Sequence, residues 1–402
     1  MRSVKLSEIF RVGSSKRVLK ADWKDSGVPF FRGREITRLS KYGVADNELF
    51  ISEAHFKDLS SKFGVPVAND IMITAIGTIG NTYIVKANDR FYFKDASVLW
   101  LHKLAEVDSR FVNYWLKSEL FFEQLDRGNG ATVDSLTIER LSNVEILLPP
   151  LEIQVEIVKR LDKAFNGIEE SIRITSSELQ LLDSCFDSFL NGILYVQIAN
   201  CGTSRLVDVL DIARGGSPRP IDKFLTDDPS GVNWIKISDA TSSKKYITST
   251  VQRIVPSGVS RSRIVNPGDF LLSNSMSFGR PYIMGTTGCI HDGWLVLSNK
   301  KQLLNQDYLY YVLSSKYIYE QFNRTAAGST VRNLNISLAG QVAFPVPSLQ
   351  IQEEIVAKIE SFETSIDDLR KSLSQKLANL SELKLSLLSG SFDVNHLSKT
   401  FG

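Results

Sequence analysis

Two stretches of the chain carry apolar residues alternately three and four positions apart, each for about 40 residues. In the first, Val158, Leu161, Phe165, Ile168, Ile172, Thr175, Leu179, Leu182, Phe186, Phe189 and Ile193 form the stripe, and Thr175 is its one polar member. The second runs through Ile355, Ile359, Phe362, Ile366, Leu369, Leu373, Lys376, Leu380, Leu383 and Leu387, interrupted by Lys376. This spacing predicts two coiled-coil helices, each on the order of 60 Å long at 1.5 Å per residue. Each follows a proline segment, Pro149–Pro150 in one case and Pro345 with Pro347 in the other, which suits a helix entry. An apolar seam needs a partner, supplied either by the other helix of the same chain in an antiparallel pair or by a second protomer. Two seams in one chain favour the pair in cis. The expected interface is Leu161, Phe165, Ile168, Ile172, Leu179, Leu182, Phe186 and Phe189 against Ile359, Phe362, Ile366, Leu369, Leu373, Leu380 and Leu387. Ile157, Ile174, Leu181, Leu377 and Leu385 flank the seams and widen the face on which helices of other subunits can join.

The remaining residues read as two mixed α and β segments. In the first, VPFFRGREI, NDIMITAIG and NTYIVKA are strand-like, and DSRFVNYWLKSELFFEQLDR from Asp108 has helical spacing. The second presents VNWIKIS, GDFLLSNS, RPYIMGT and DGWLVLS, then a helical DYLYYVLSSKYIYEQFNR from Asp307. The order is the same because the chain repeats itself about 198 residues apart. GATVDSL from Gly130 matches GSTVRNL from Gly328, and LEIQVEIV from Leu151 matches LQIQEEIV from Leu349. A repeat this long is a duplicated domain with its helix, not a solenoid unit. The expected organisation is a globular domain over 1–150, a helix over 151–198, a second domain over 199–348 and a helix over 349–402. The fold class is α+β, with internal pseudo-two-fold symmetry. Loop content differs between the copies, TRLSKYG against DATSSKKY and GTIGNT against SMSFGRP, as two readers of different targets require.

Net charge is only +2, but the globular segments together carry +8 and the helical segments −6. Basic globules on acidic helices suit a polyanion for the former and protein for the latter. Three scattered cysteines, Cys185, Cys201 and Cys289, fit a reducing cytoplasm. No apolar run is long enough to span a bilayer, so no membrane association is expected. The chain has no GxxxxGK(S/T) phosphate loop and no Asn-Pro-Pro-Tyr segment of the adenine methyltransferase kind. His55, His102, His291 and His396 lie far apart without ligand spacing, so no metal site is expected. Asp95 and Asp292 occupy equivalent places and read as structural.

With its tandem domains, its G(A/S)TVxxL segments and its proline-led IQxEIV helix starts, the chain resembles the DNA specificity subunit of a Type I restriction-modification system. The resemblance covers essentially the whole chain. It implies two target recognition domains, each reading one half of a split double-stranded DNA sequence, and two antiparallel spacer helices that act as a ruler. It also implies assembly with two methyltransferase subunits and with restriction subunits. S-adenosylmethionine, ATP and Mg are then expected only in those partners, and the chain itself is non-catalytic with no cofactor. A coiled-coil scaffold whose globules bind protein is the contrasting reading. A specificity protein of a related methylation or phage-defence system would keep the DNA but change the partner.

Loop position and side-chain chemistry pick out the candidate DNA-binding residues, since Arg and Lys suit guanine edges and phosphates, Asn suits adenine, and Ser or Thr suits either. In the first domain these are Arg32, Arg34, Arg38, Lys41, Thr78, Asn81, Arg127, Asn129 and Thr132. In the second they are Arg214, Lys236, Ser238, Lys244, Lys245, Ser277, Arg280, Arg324, Ser329, Thr330 and Arg332. Thr132 and Thr330 could alternatively serve as local turn caps.

Overall fold

The computed structural model describes residues 2–125, 135–274, 278–299, 302–326 and 334–392. The chain divides into two compact units, one of residues 1–175 with 375–402 and one of residues 176–374. Each therefore holds one globular domain and a portion of both long helices.

In the first unit an antiparallel sheet runs in the order Phe10–Gly13, Val98–Lys103, Ile71–Thr74, Thr82–Ile84. The apolar run at Ile71–Thr74 is buried on both faces, so alternate residues serve different cores. Ile71 and Ile73 join Phe111, Val112, Trp115 and Phe121, whereas Met72 joins Ile36, Phe93 and Trp100. A smaller sheet orders Phe50–Ile51, Val28–Phe31 and Tyr92–Phe93, the last two strands parallel. The second unit repeats both arrangements. Asp211–Arg214, Trp294–Ser298, Phe270–Ser273 and Pro281–Met284 form the larger sheet, extended by Tyr246–Ile247. In the other sheet, here also of five strands, Val232–Ile235 again pairs in parallel with Gly288–Ile290.

Four local expectations are corrected. The strand predicted over VPFFRGREI stops at Phe31, and a helix, Gly33–Tyr42, begins. The Glu35 carboxylate accepts the N–H of the N-cap residue Arg32 at 2.9 Å, a local bond that competes with the sheet ladder. VNWIKIS behaves alike: the strand ends at Ile235, Asp239 accepts the Lys236 N–H at 2.8 Å, and helix Ile237–Thr241 follows. The helical segment from Asp108 is likewise two helices, Ser109–Trp115 and Glu119–Leu125. Its counterpart divides into Gln306–Ser314 and Lys316–Ala326. At each break a serine hydroxyl, Ser118 or Ser315, donates to the carbonyl three residues earlier.

The residues repeated most faithfully are those that hold the domains together. Gln124 donates to the Glu145 carbonyl and accepts that residue's N–H, at 2.8 and 2.9 Å. Gln321 does the same with Ala343, at 2.8 and 3.0 Å. At the helix starts, buried Gln154 accepts the Asp108 N–H and donates to the Pro149 carbonyl. Gln352 accepts the Asn305 N–H and donates to the Leu303 and Pro347 carbonyls.

The long helices are Leu151–Cys201 and Leu349–Gly390. They pair with each other, and the pairing is antiparallel. In the first unit Phe165, Ile168 and Ile172 belong to one cluster with Leu380, Leu387 and Leu388, and Lys384 donates to Glu169 at 2.8 Å. In the second, Leu179 and Leu182 meet Phe362, Ile366 and Leu373, Arg370 donates to Asp183 at 2.8 Å, and Phe189 stacks on Phe362. The seam of the central helix lies where the heptads put it. That of the C-terminal helix is corrected: Leu369 and Leu383 are 46% and 47% exposed, and Lys376 is exposed while Leu377 is half-buried. An α-helix drifts from a strict 3.5-residue repeat, so beyond Ile366 the inward positions become Arg370, Leu373, Leu377, Leu380 and Lys384. Arg370 and Lys384 lay their aliphatic stems on the seam and send their charges to its edge. Of the flanking residues, Ile157 is buried in the first domain's core, whereas Ile174, Leu181 and Leu385 remain exposed.

Replacing Gln352 by alanine strands the Asn305 N–H and two carbonyls. The expected cost is about 1–3 kcal/mol, read as a lowered midpoint in urea denaturation; an unchanged midpoint would show that water substitutes for the amide.

Candidate nucleic-acid interface

The duplicated scaffold brings the same set of positions together in each domain. The parallel strand pair delivers a cation to the start of a helix, Arg32 in one domain and Lys236 in the other. One turn on, a threonine hydroxyl donates back to a helix carbonyl, Thr37 to Gly33 and Thr241 to Ile237, each at 2.8 Å. Beside the helix lies the hairpin joining Ile71–Thr74 to Thr82–Ile84 in one domain and Phe270–Ser273 to Pro281–Met284 in the other. Its turn needs a left-handed glycine, Gly80 at φ 88° and Gly279 at φ 74°, where a side chain would be strained. The next residue is Asn81 in one copy and Arg280 in the other. Each donates its N–H at 3.0 Å to a strand hydroxyl, Thr74 or Ser273.

Six of the sequence-selected residues of the first domain, Arg32, Arg34, Arg38, Lys41, Thr78 and Asn81, thus lie on this helix and hairpin. Arg32, Arg34 and Arg38 stand along helix Gly33–Tyr42, and Asn81 donates to the Thr37 hydroxyl at 3.2 Å and to the Thr78 carbonyl at 3.3 Å. Lys41 is exposed on the last turn. The three arginines are paired within the domain. Arg32 and Arg34 both bond the buried Glu35, Arg34 also pairs with Glu48 at 2.6 Å, and Arg38 pairs with Asp46 at 3.1 Å. Burial raises the Glu35 carboxyl, but the Arg32 guanidinium and N–H, with Arg34, outweigh it and hold the group below its ordinary value. Glu48 and Asp46 are largely exposed and can yield to another anion; Glu35 cannot move without uncovering the helix start.

In the second domain Ser238 stands exposed at the place of Arg34. Arg280, Thr241 and Lys244 line a cleft of about 1080 Å³ together with Tyr282, Lys316 and Tyr319. Lys245 has a different setting: its ammonium pairs with Asp307 and lies 5.0–5.5 Å from the ring centres of Tyr246, Tyr310 and Tyr311. Its charge is matched inside the domain. Arg214 closes its strand and donates to the Asp292 carbonyl at 2.9 Å; Arg324 is exposed on the last turn of its helix. Arg127, Asn129, Thr132, Ser277, Ser329, Thr330 and Arg332 lie outside the described residues. Lys316 escaped the sequence reading because it sits within a segment of core spacing. Trp234 and His291, close to the Lys236 helix start, were hidden in runs that read as a buried strand and a turn. Asp292 accepts the Ser217 hydroxyl at 2.8 Å and pairs with Arg219 at 3.0 Å, a structural role. Among the described residues no group of three His, Cys, Asp or Glu side chains could hold a metal ion, and no helix is long and apolar enough to cross a membrane.

Comparison with known proteins gives the geometry a context. The family model for the Type I restriction modification DNA specificity domain matches twice, over residues 1–176 and 200–379. The MjaVIII Type I restriction enzyme specificity subunit of Methanocaldococcus jannaschii is 23% identical over 320 residues, 73% of this chain and 72% of that protein. S.HindORF215P of Haemophilus influenzae is 28% identical over 181 residues, and the match spans 44% of either protein. Among solved structures, a chain from a study of assembly and conformational transition of the type I R-M system aligns with a TM-score of 0.68 at 18% identity, covering 98% of each chain. The HsdS subunit from Thermoanaerobacter tengcongensis gives 0.61 at 18% identity, covering 97% of this chain and 96% of that one.

Because the Glu35 carboxyl is held low, its contribution to stability is complete above the ordinary carboxylate value and is lost as pH falls through the lower folded value. Glu35→Gln should therefore weaken the protein at neutral pH and flatten the fall in its urea midpoint between about pH 7 and about pH 3. An equally steep fall in the variant would place the acid sensitivity elsewhere.

Proposed function

We propose that this chain, which belongs to the Type I restriction-modification DNA specificity family, reads a split and asymmetric double-stranded DNA site and directs the chemistry of its partners to it. The observation that carries this is one scaffold presented twice with different side chains at the same positions. Arg34 and Asn81 in one domain are replaced by Ser238 and Arg280 in the other. A symmetric reader meets a palindrome, whereas two unequal readers in one chain suit two unrelated half-sites. Asn81 is suited to an adenine edge, Arg280 to a guanine edge or a phosphate, and Lys236, Lys244 and Lys316 to the backbone.

In this reading the chain is non-catalytic and cytoplasmic and holds no cofactor. Two methyltransferase subunits bring S-adenosylmethionine, and restriction subunits bring ATP and Mg. The paired helices set the number of unread base pairs.

The test is to express the chain with its methyltransferase in a host without adenine methylation and to map modified bases by single-molecule sequencing. A split, asymmetric motif is expected. Arg280→Ala should relax or weaken only one half-site, by about 1–3 kcal/mol for a base contact. Removing seven residues from within 179–191 should change the spacer and leave both half-sites intact; an unchanged spacer would remove the ruler. DNA affinity that ignores salt would favour a protein-binding scaffold instead.

A further inference from the structure

In the second domain Arg214 closes the edge strand Asp211–Arg214, and the two residues after it are glycines. A Cβ on Gly215 would fall 2.1 Å from the His291 carbonyl oxygen, and one on Gly216 would fall 3.0 Å from the Arg261 carbonyl oxygen. The lack of side chains therefore lets this strand end lie against the turn that leads into strand Arg263–Val265. That close approach gathers Arg214, Arg261 and Arg263, all of them exposed.

Each guanidinium is held by a neutral partner. Arg214 Nε donates to the Asp292 carbonyl at 2.9 Å, and Arg263 Nε donates to the Arg214 carbonyl at 2.8 Å. Arg261 lies 5.5 Å from the centre of the Phe224 ring, a cation over a π face. None of the three makes a salt bridge among the described residues, and the Asp292 carboxylate is engaged instead by Ser217 and Arg219. A carbonyl or a ring orients a guanidinium without cancelling its charge. With Nε spent, the Nη groups of Arg214 and Arg263 keep their donors for an anion. The first domain does the reverse, matching Arg32, Arg34 and Arg38 to carboxylates.

Like charges brought together cost stability through mutual repulsion, and a closely spaced polyanion relieves it. The set is continuous with the reading surface. The Asp292 carbonyl that Arg214 holds also accepts the Asn274 side chain at 2.8 Å, and neighbouring Ser273 accepts the Arg280 N–H at 3.0 Å. Strand Arg263–Val265 pairs with Gly288–Ile290. Among the described residues the first domain has no strand in that place, because Tyr92–Phe93 is the edge of its three-stranded sheet.

We propose that Arg214, Arg261 and Arg263 bind the phosphodiester backbone of the target DNA beside the half-site that this domain reads, gripping it through charge and independently of its bases. The proposal rests on the DNA-reading function above and adds a contact that belongs to one end of the site alone.

The experiment uses the complex with methyltransferase, one duplex carrying the mapped motif and one of the same length with the motif scrambled. Affinity for each is measured by fluorescence anisotropy between about 50 and about 200 mM salt. Arg214→Gln, Arg261→Gln and Arg263→Gln should each weaken both duplexes by the same factor and lower the slope of log K against log salt by about 0.9. Arg263→Lys keeps the charge and should restore most of that slope. Thermal melting identifies any variant that fails to fold; Arg261→Gln removes only a ring contact and keeps the test open. An unchanged slope in all three variants would overturn the proposal. So would weakening confined to the motif duplex, which would make these residues base readers. Loss of methyltransferase assembly with the slope intact would make the patch a protein contact and overturn it as well. Wild-type affinity that ignores salt would instead overturn the DNA-reading function, and the proposal with it.

Discussion

A buried primary amide fixes each globular domain to its own long helix. Gln154 and Gln352 stand on the first turn, where a helix leaves backbone groups unpaired, and each is almost completely covered. A side chain with both donor and acceptor is needed there. It must take an N–H from the N-cap of a helix earlier in the chain, Asp108 or Asn305, and return a donor to the carbonyl of a proline just before the long helix. No aliphatic residue could satisfy both, and a carboxylate would bring a buried charge. About two to three turns further along, tyrosines reinforce the attachment: the Tyr114 hydroxyl donates to Asp162, and Tyr311 donates to Glu363 at 2.8 Å. The attachment is therefore polar and directional, whereas the seam between the helices is apolar and tolerant of drift.

That contrast explains what could be read from the sequence. The duplication, the order of elements and the central-helix seam were legible because they depend on periodicity and on recurring residues. In the C-terminal seam Leu373, Leu380 and Leu387 were legible as well, but Leu369 and Leu383 were misplaced, since a heptad template carries no knowledge of the accumulated rotation that brings Arg370 and Lys384 inward. The helices after Phe31 and Ile235 were not legible as such. Apolar spacing there suits a strand, and the deciding bond runs from a backbone N–H to a carboxylate three residues on. Helix Glu53–Phe63, capped by the Ser52 hydroxyl, was likewise missed, for its apolar positions are few.

The candidate interface was legible as a set of residue types and not as a set of available charges. Arg32, Arg34 and Arg38 were chosen as cations, yet each is coupled to a carboxylate. Lys245 was chosen on the same ground and proves to be enclosed by tyrosines. Only the fold distinguishes these from Lys236 or Arg280. The two domains consequently differ in electrostatics more than their sequences suggest: the first presents a network of matched charges with exposed acidic members, and the second presents cations over two clefts. Glu48 and Asp46 are the exposed acidic partners of Arg34 and Arg38 in the first domain.

The paired glutamine clamps also bear on how such a chain can change over generations. Gln124 with Glu145 and Gln321 with Ala343 close the globular segments through backbone groups alone, so they place no demand on the side chains between the central strands. The segments that vary and the segments that bind the domain to its helix are chemically independent. A hairpin or helix start can carry a different complement of side chains in each copy while every bond that seats the domain stays in place, which makes the differing surface an insert in a frame that the two copies share.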